Sequence, residues 1–297
     1  MQFIRDIYAT ARAAKRPVIS FEFFPTKTDE GERILLEKTI PALMQLEPDF
    51  CSVTYGAGGS TRDKTLTIVD RIQRQHGLAA MAHLTCVNAT AEETRAYLNE
   101  ARSRGIKNVL ALRGDPPGGG EFNKTEGGFE FSFQLVEFIR QAGGFCIGVA
   151  GFPEGHIACK EGKYVDWERL RNKIDHGADF VITQLFFDNS DYLEFRDYLG
   201  ALGVTIPLVP GIIPILSAAQ IKKFTALCGA GLPKSLLTEL EKRSDDDDEA
   251  VAQFGIEYAT NQCLELLREG VPGIHFYTLN KARSAAAILR NLGRAPL

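Results

Sequence analysis

The sequence predicts an α/β fold: a single (β/α)8 barrel of the TIM type over residues 1–297, with an N-terminal helix and extra helices between the last two strands. Two observations predict it. Short runs rich in Val, Ile, Phe and Thr alternate with longer segments of helical character, and the 297 residues suit a barrel that typically takes about 250. The runs are almost continuously apolar, as parallel strands covered on both faces are. Eight such units favour a closed barrel over an open sheet.

The predicted strands, in chain order, are Val18–Phe24, Phe50–Tyr55, Ala80–Cys86, Asn108–Leu112, Cys146–Ala150, Phe180–Phe186, Ile206–Val209 and Ile274–Thr278. We predict that the seventh ends in a Pro210-Gly211 turn. Between the strands, apolar residues three and four apart predict helices over Glu30–Leu46, Thr61–His76 and Ala91–Arg104. Predicted N-caps are Ser60, Thr90 and Asp166, and predicted C-cap glycines are Gly77, Gly105, Gly143 and Gly177.

The stretch from Ser217 to Glu269 is unusually long for one connection, so we expect an inserted helical hairpin there. The acidic run Ser244–Glu249 (SDDDDE) is expected to open the second helix of that hairpin, because negative charge is favourable at a helix N-terminus.

Composition excludes several classes of function. A net charge of −4 and a pI near 5.8 favour neither nucleic acid nor an anionic membrane as a partner. No apolar run approaches the roughly 18 to 20 residues that span a bilayer. The N-terminal residues resemble an amphipathic helix, not a signal peptide. The six cysteines include no C-x-x-C pair, so we expect free thiols, no metal site and a cytoplasmic location.

Polar residues cluster where the predicted strands end, which is where barrel enzymes carry their chemistry. Seven of the eight strands supply at least one; in chain order they are Glu22, Thr54, Tyr55, His83, Thr85, Arg113, Asp115, His156, Gln184, Tyr277 and Asn280. A barrel with a purely structural role would not need so many.

Glu22 lies among aromatic residues in the segment Ser20-Phe21-Glu22-Phe23-Phe24-Pro25. Surroundings of low polarity raise the pKa of a carboxyl group, so Glu22 would stay protonated near neutral pH and serve as a general acid. The alternative is a structural ion pair between Glu22 and a nearby Arg or Lys. Position alone does not decide between the two.

The segment Arg113-Gly114-Asp115-Pro116-Pro117, followed by Gly118-Gly119-Gly120, predicts a strand that leaves the barrel into a loop and displays a carboxylate above the mouth. Nucleotide-binding glycine motifs, the HExxH zinc motif and the GxSxG motif are absent. The residues by themselves therefore indicate a cytosolic barrel enzyme and do not name its substrate.

Seven blocks resemble the bacterial methylenetetrahydrofolate reductases. They occur in the order of that family and span nearly the whole chain: Phe21-Glu22-Phe23-Phe24-Pro25, Ser52-Val53-Thr54-Tyr55-Gly56, His83-Leu84-Thr85-Cys86, Leu112-Arg113-Gly114-Asp115, Ile182-Thr183-Gln184, Pro210-Gly211-Ile212-Ile213-Pro214 and His275-Phe276-Tyr277-Thr278-Leu279-Asn280. The resemblance implies the short form of the family, which consists of the catalytic domain alone.

The resemblance also implies a reaction. FAD would take a hydride at its N5 from NADH or NADPH and then reduce 5,10-methylenetetrahydrofolate to 5-methyltetrahydrofolate. By resemblance, Glu22 is the general acid that opens the five-membered ring of the folate. Asp115 would be a carboxylate beside the flavin and the pterin. A homo-oligomer is expected from the habit of the family.

Further roles follow from the resemblance alone. The cofactor-binding residues carried over are Thr54, Tyr55, His83, Arg113, Asp115, Ala150, Phe152, His156, Asp166 and Lys173. The substrate-binding residues carried over are Glu22, Gln184, Gln220, Phe224, Tyr277 and Lys281. Phe152 stands where relatives can have Tyr, and Lys281 replaces an Arg, which removes bidentate geometry.

Three alternatives stay open at this stage. A related reductase would pass hydride directly from nicotinamide to folate without a flavin. A barrel lyase or aldolase would use Glu22 for a proton without redox chemistry. A non-catalytic barrel would bind folate or a partner and do no chemistry.

Overall fold

A closed parallel barrel organises the chain, with its strands hydrogen-bonded in sequence order and β8 paired to β1. The computed structural model describes residues 1–56, 62–115, 120, 122–244 and 248–293. The strands are β1 Val18–Phe23, β2 Phe50–Val53, β3 Ala79–Thr85, β4 Asn108–Leu112, β5 Cys146–Gly151, β6 Phe180–Leu185, β7 Leu208–Ile212 and β8 Gly273–Tyr277. The predicted fold class is confirmed.

Helices surround the barrel, and α1 precedes it. Their bounds are α1 Ile4–Ala13, α2 Asp29–Ile34, α3 Ile40–Met44, α4 Arg62–His76, α5 Ala91–Ser103, α6 Ser132–Ala142, α7 Lys163–Asp175, α8 Asn189–Ala201, α9 Ala218–Cys228, α10 Lys234–Ser244, α11 Asp248–Arg268 and α12 Ala282–Asn291. A π-helical turn, Leu35–Thr39, joins α2 to α3. Within the described ranges, none of these helices is both long enough and apolar enough to cross a bilayer.

Helix α1 closes the amino end of the barrel. Its buried residues Ile4, Ile7, Tyr8 and Ala11 pack against inward-facing residues of the strands, among them Phe50, Met81, Leu110, Phe180 and Ile182. A larger apolar cluster fills the space between the sheet and the outer helices. The apolar layers therefore fill most of the lower barrel and the space outside the sheet.

The seventh strand differs from its prediction. The sequence predicts Ile206–Val209 and a turn at Pro210-Gly211, whereas β7 runs through both residues to Ile212. Pro210 lacks an N–H, but the pairing with β6 is irregular here and does not require one. Gly211 N donates instead to Thr183 Oγ1 at 2.9 Å. An added Cβ at Gly211 would lie 2.3 Å from Thr183 O, so glycine is required by this close approach.

The predicted helix ends are mostly confirmed. Thr90 caps α5 with a full capping box, and Gly77, Gly105, Gly143 and Gly177 have positive φ just beyond helices. Asp166 is wrong as an N-cap, because α7 already begins at Lys163 and the Asp166 carboxylate accepts from His156 N at 3.2 Å. Ser60 lies outside the described residues.

The predicted helical hairpin between β7 and β8 is also wrong in its details. The described residues form α9, α10 and α11 in succession, and Asp248 and Glu249 of the acidic run open α11, which is the third helix and not the second. Residues 245–247 of that run lie outside the described ranges. A third apolar cluster, which includes Ile213, Ile221, Leu236 and Val251, packs these helices over one side of the carboxyl end of the barrel.

Candidate active site

Glu22 lies at the centre of the carboxyl end. The alternation along β1 turns Ser20 and Glu22 into the barrel, while Phe21 and Phe23 pack outward. Glu22 Oε2 lies 3.3 Å from His83 Nε2 and 3.7 Å from His275 Nε2, and it accepts from Ser52 Oγ at 3.3 Å. The Glu22 side chain keeps 17% of its surface exposed, so it still faces the mouth.

The expectation that burial keeps Glu22 protonated is wrong for this arrangement. Burial alone raises the pKa of Glu22, but the adjacent His275 and His83 side chains outweigh it and lower the pKa to about 2. The alternative prediction, a structural ion pair of Glu22, is closer to the structure, although its partners are the imidazoles of His83 and His275 and not Arg or Lys. Glu22 is therefore a carboxylate near neutral pH until something else shifts its pKa.

Ser20 and His275 form a buried layer beneath Glu22 that the sequence predictions did not include. Ser20 Oγ lies 2.8 Å from His275 Nδ1, and both residues are fully buried. The His275 ring stacks on Phe50 with 6.2 Å between centroids. A signal was present in the sequence: Ser20 and His275 are polar residues two positions before Glu22 and Tyr277, so alternation places them on the same inward face.

Tyr277 and Gln184 form the wall next to Glu22. Tyr277 pairs with Glu22 in the strand register, and its hydroxyl donates to Thr183 O at 2.6 Å. Gln184 follows Thr183 at the irregular end of β6, where its Oε1 accepts from its own neighbour Leu185 N. The amide NH₂ of Gln184 thus remains a donor for other groups. Gln184 and Phe152 line one small cavity.

Across the mouth, β5 and α7 build a positively charged corner. Lys173 Nζ donates to Ala150 O at 2.9 Å, and burial together with the nearby Arg113 lowers the pKa of Lys173 to about 8, against the opposing effect of Asp166. Burial likewise lowers the pKa of His156. Burial raises the pKa of Asp166, a carboxylate that faces these cations.

The remaining predicted cofactor residues lie around this corner or between it and Glu22. Phe152 meets His156 edge to face, with 4.5 Å between ring centroids. Arg113 lies over the Phe122 ring, and exposed Asp115 is near enough to His156 to act on it electrostatically. Gly114 packs so tightly on Thr85 that an added Cβ would lie 2.8 Å away. Of the loop predicted after Asp115, residues 116–119 lie outside the described ranges.

Beneath the mouth, β3 and the residues that follow β2 pack closely together, and β3 supplies one buried hydroxyl without a hydrogen-bond partner in the described residues. Thr54 O accepts from Thr65 Oγ1, and the Tyr55 ring packs on Tyr97, whose hydroxyl donates to His83 O. Thr85 Oγ1 is buried without a hydrogen-bond partner in the described part of the chain. Such an atom costs free energy unless a ligand or water satisfies it.

Helix α9 brings Gln220 and Phe224 to the same side as Tyr277. The two residues are one helical turn apart and both half-buried, and Phe224 and Tyr277 pack on the same apolar cluster. Lys281 is different: it is exposed just before α12, and its backbone N donates to Thr278 O at 2.8 Å. The structure brings the other predicted residues towards one mouth and leaves Lys281 at the rim.

This arrangement suits proton handling beside a bound anion. A carboxylate contacts two imidazoles on one side of the mouth, and a buried ammonium with a guanidinium lies on the other. Among the residues that the structure describes, no three His, Cys, Asp or Glu side chains are placed to hold a metal ion.

Solved structures of low sequence identity share the fold. A Clostridium thermocellum protein whose structure binds two copies of 5-methyl-5,6,7,8-tetrahydrofolic acid superposes with a TM-score of 0.65 at 17% identity, covering 96% of this chain and 97% of that one. An oxaloacetate acetylhydrolase superposes with a TM-score of 0.53 at 12% identity, covering 97% and 84%. At these identities the likeness shows the barrel and no more.

Sequence relatives are much closer. The Arabidopsis thaliana protein named Methylenetetrahydrofolate reductase (NADH) 1 is 43% identical over 285 residues, which are 92% of this chain and 48% of that protein. The Escherichia coli K12 protein named 5,10-methylenetetrahydrofolate reductase is 39% identical over 279 residues, which are 94% of this chain and 91% of that protein. The chain thus spans about half the length of the plant relatives.

The sequence profile described as "Methylenetetrahydrofolate reductase" matches residues 7–293. That match covers all the barrel strands and every predicted site residue. The chain belongs to the methylenetetrahydrofolate reductase family.

Proposed function

We propose that this chain reduces 5,10-methylenetetrahydrofolate to 5-methyltetrahydrofolate with NADH or NADPH, using bound FAD and Glu22 as the general acid. The observation that carries the proposal is the buried Glu22 carboxylate, held at the mouth by two imidazoles and still open on one face. The names of the relatives at 39–43% identity supply the substrate class, and the plant names favour NADH.

The residues present fit a flavin dinucleotide. Lys173, Arg113 and His156 form a corner where positive charge is costly, because Asp166 compensates it only in part; a diphosphate would remove that cost. The unpartnered Thr85 Oγ1 offers a buried polar contact nearby. When bound, FAD supplies hydride transfer between nicotinamide and folate.

Glu22 must gain a proton before it donates one. A folate ring that covers the mouth would remove the remaining exposure of Glu22, and desolvation raises a carboxyl pKa. The proton would then be shared with His275, which is backed by Ser20, and delivered to N10 of the folate so that its five-membered ring opens. In this proposal the imidazoles both hold the carboxylate in place and supply its proton.

The other wall would hold the substrate. The Gln184 amide donor faces the mouth beside Tyr277, and Phe224 offers an aromatic face for the nicotinamide or the aminobenzoyl ring of folate. Gln220 would add a polar contact one turn away. Exposed Lys281 would meet the glutamate tail, and Asp115 would lie near flavin and pterin. We also propose a cytoplasmic homo-oligomer; six free thiols support the reducing compartment.

The test separates the two half-reactions in an anaerobic stopped-flow instrument. NADH or NADPH should bleach the flavin absorbance of the purified protein, and methylenetetrahydrofolate should restore it. Glu22→Gln should keep the bleaching step and slow the folate step by about 10²- to 10⁴-fold, the usual contribution of a positioned acid. Glu30→Gln, an exposed carboxylate beyond β1, is the matched control and should change neither step.

Other outcomes would favour the alternatives. A colourless protein that still reduces the folate would indicate direct hydride transfer from nicotinamide. A bound flavin that neither nicotinamide bleaches would support a non-redox barrel. Equal loss of both half-reactions in Glu22→Gln would contradict the acid role.

A further inference from the structure

Glu154 joins the two walls of the mouth, and neither the resemblance nor the proposed function assigns it a role. It follows Phe152 and Pro153 in the loop after β5. Its Oε2 accepts from Gly231 N at 2.7 Å, in the connection between α9 and α10. Its Oε1 is buried and has no hydrogen-bond partner in the described ranges. One carboxylate thus spans two segments 77 residues apart.

A second contact lies beside this hydrogen bond. Gly229, the C-cap of α9 with φ of +80°, comes so close to Ile157 that an added Cβ would lie 3.0 Å from Ile157 Cβ. The loop and the end of the helix enclose a cavity of about 10 Å³, which is close to the room needed by one water molecule. Glu154, Gln184 and Cys228 all line it.

The loop side of this junction is itself held firmly. Gly155 has φ of +82° and packs on Lys163, so an added Cβ would lie 2.8 Å from Lys163 Cα. The next residue, His156, donates its backbone N–H to Asp166. Trp167 Nε1 donates to Phe152 O at 2.8 Å. Glu154 therefore projects from a fixed loop towards α9, and its carboxylate sets where the end of the helix lies.

The helix side carries the proposed substrate contacts. Gln220, Phe224 and Cys228 are spaced four residues apart along α9, so they form one stripe, and the last of them lines the same cavity as Glu154. A shift of the C-terminal end of α9 would move this stripe relative to Gln184. Burial raises the pKa of Glu154, the hydrogen bond from Gly231 N opposes the rise, and Asp191 and Asp188 add to it.

We propose that Glu154 is a positioning residue: by holding Gly231, it fixes helix α9, with Gln220 and Phe224, against the loop that carries Phe152 and His156. The cofactor wall and the substrate wall are then held at one spacing by a side chain that contacts neither ligand. This inference rests on the proposed function for the identity of the two walls. The junction itself rests only on the contacts above.

The first measurement is amide hydrogen exchange on the protein without substrates. Glu154→Ala should speed exchange at Gly231 and in the last turn of α9 by about tenfold or more, the factor expected when a hydrogen bond to a charged group is lost. Glu154→Gln keeps one acceptor oxygen and should restore much of the protection. Unchanged exchange in Glu154→Ala would overturn the proposal, provided that thermal unfolding shows both variants folded.

The matched control is Glu241→Gln. It breaks an exposed ion pair between α10 and Lys222 of α9, which is a tether of similar length on the outer face of the same helix. Exchange at Gly231 should not change in this variant. An equal effect in Glu154→Ala and Glu241→Gln would mean that any loosening of α9 suffices, and the specific role of Glu154 would be wrong.

The second measurement is the dissociation constant for 5-methyltetrahydrofolate, with the flavin content measured in parallel. Glu154→Ala should weaken folate binding about three- to tenfold at unchanged flavin content, and Glu154→Gln should recover most of it. Faster exchange with unchanged folate binding would overturn the link between α9 and the substrate. If the wild-type protein binds no folate, the proposed function fails, while the exchange result still decides the role of Glu154 at the junction.

Discussion

The two ends of the barrel place carboxylates in opposite surroundings. At the amino end, Asp179 accepts from Ile147 N at 2.8 Å and pairs with Arg140 and Arg5, and Asp49 accepts from Ile19 N and pairs with Arg16 at 2.7 Å. Each of these two carboxylates accepts a hydrogen bond from a backbone N–H and pairs with at least one guanidinium. Arginine stays charged at all relevant pH values, so these contacts are permanent.

At the carboxyl end the charges are compensated only in part. Glu22 contacts two imidazoles and no guanidinium or ammonium in the described residues, and the ammonium of Lys173 is buried beside another cation. Thr85 Oγ1 has no partner in the described residues. The comparison indicates that the contacts at the amino end stabilise the fold. At the carboxyl end, charges and one buried hydroxyl are incompletely paired, and a bound ligand would stabilise them.

The largest expected effect comes from breaking the amino end. Asp179→Ala removes a carboxylate that is only 14% exposed and leaves Ile147 N and two arginines without it. We expect a loss of about 3 kcal/mol in the free energy of unfolding, measured by urea denaturation. Asp175→Asn, which breaks the exposed pair with Arg171, is the control and should cost less than about 0.5 kcal/mol. Equal costs in the two variants would remove the contrast between the ends.

The next effect tests the imidazole contacts of Glu22 at the other end. His275→Gln removes an imidazole that lowers the pKa of Glu22, so that pKa should rise. Because the acid form is the active one, the decline of the folate half-reaction with rising pH should move to higher pH, while its maximum falls about tenfold or more because proton supply is lost. His176→Gln, directly after α7 and outside this cluster, should leave the profile unchanged. A lower rate with an unmoved pH profile would show that His275 only packs.

The strands were predictable because each is a short apolar run that needs burial on both faces. Asn108–Leu112 was predicted to the residue, and most other ends were off by one or two. The seventh strand failed because Pro210-Gly211 is a turn signal in isolation. These two residues can continue the strand because the Thr183 hydroxyl accepts the hydrogen bond from Gly211 N that regular strand pairing would have provided. Local sequence contains no such information.

The residues of the site could be predicted from the sequence, but the interactions between them could not. Glu22 was singled out, but the sign of its pKa shift depends on His275, which is over 250 residues away along the chain and adjacent only once β1 pairs with β8. The same holds for Glu154, whose partner is a backbone N–H that has no sequence signature. Strand alternation would have added Ser20 and His275 to the predicted site.

A substitution of Lys173 tests how much stability is lost through the partly compensated positive charge between β5 and α7. Burial lowers the pKa of Lys173 to about 8, so the folded protein binds the Lys173 proton less tightly than the unfolded chain does. The resulting loss in the free energy of unfolding is fully present below pH 8. It disappears as the pH rises past the pKa of lysine in the unfolded chain, near 10.4. Without flavin, Lys173→Met should therefore be more stable than wild type at pH 7, by about 1–2 kcal/mol in urea denaturation, and should lose this advantage at high pH. Its affinity for FAD should fall. Destabilisation at pH 7 would mean that Asp166 compensates Lys173 in full.

The smallest effect concerns the carboxylate that lies most in solvent. Asp115 is exposed at the end of β4, so its field on a nearby ligand is screened and is worth a fraction of a kcal/mol. A negative charge disfavours the anionic reduced flavin, so Asp115→Asn should raise the two-electron reduction potential. At about 30 mV per 1.4 kcal/mol, the rise should be roughly 10–20 mV, measured by dye equilibration under anaerobic conditions. Glu126→Gln, an exposed carboxylate later in the same connection, is the control and should leave the potential unchanged. A lower potential in Asp115→Asn would reverse the sign of the electrostatic argument, because it would place the charge where it stabilises the reduced flavin.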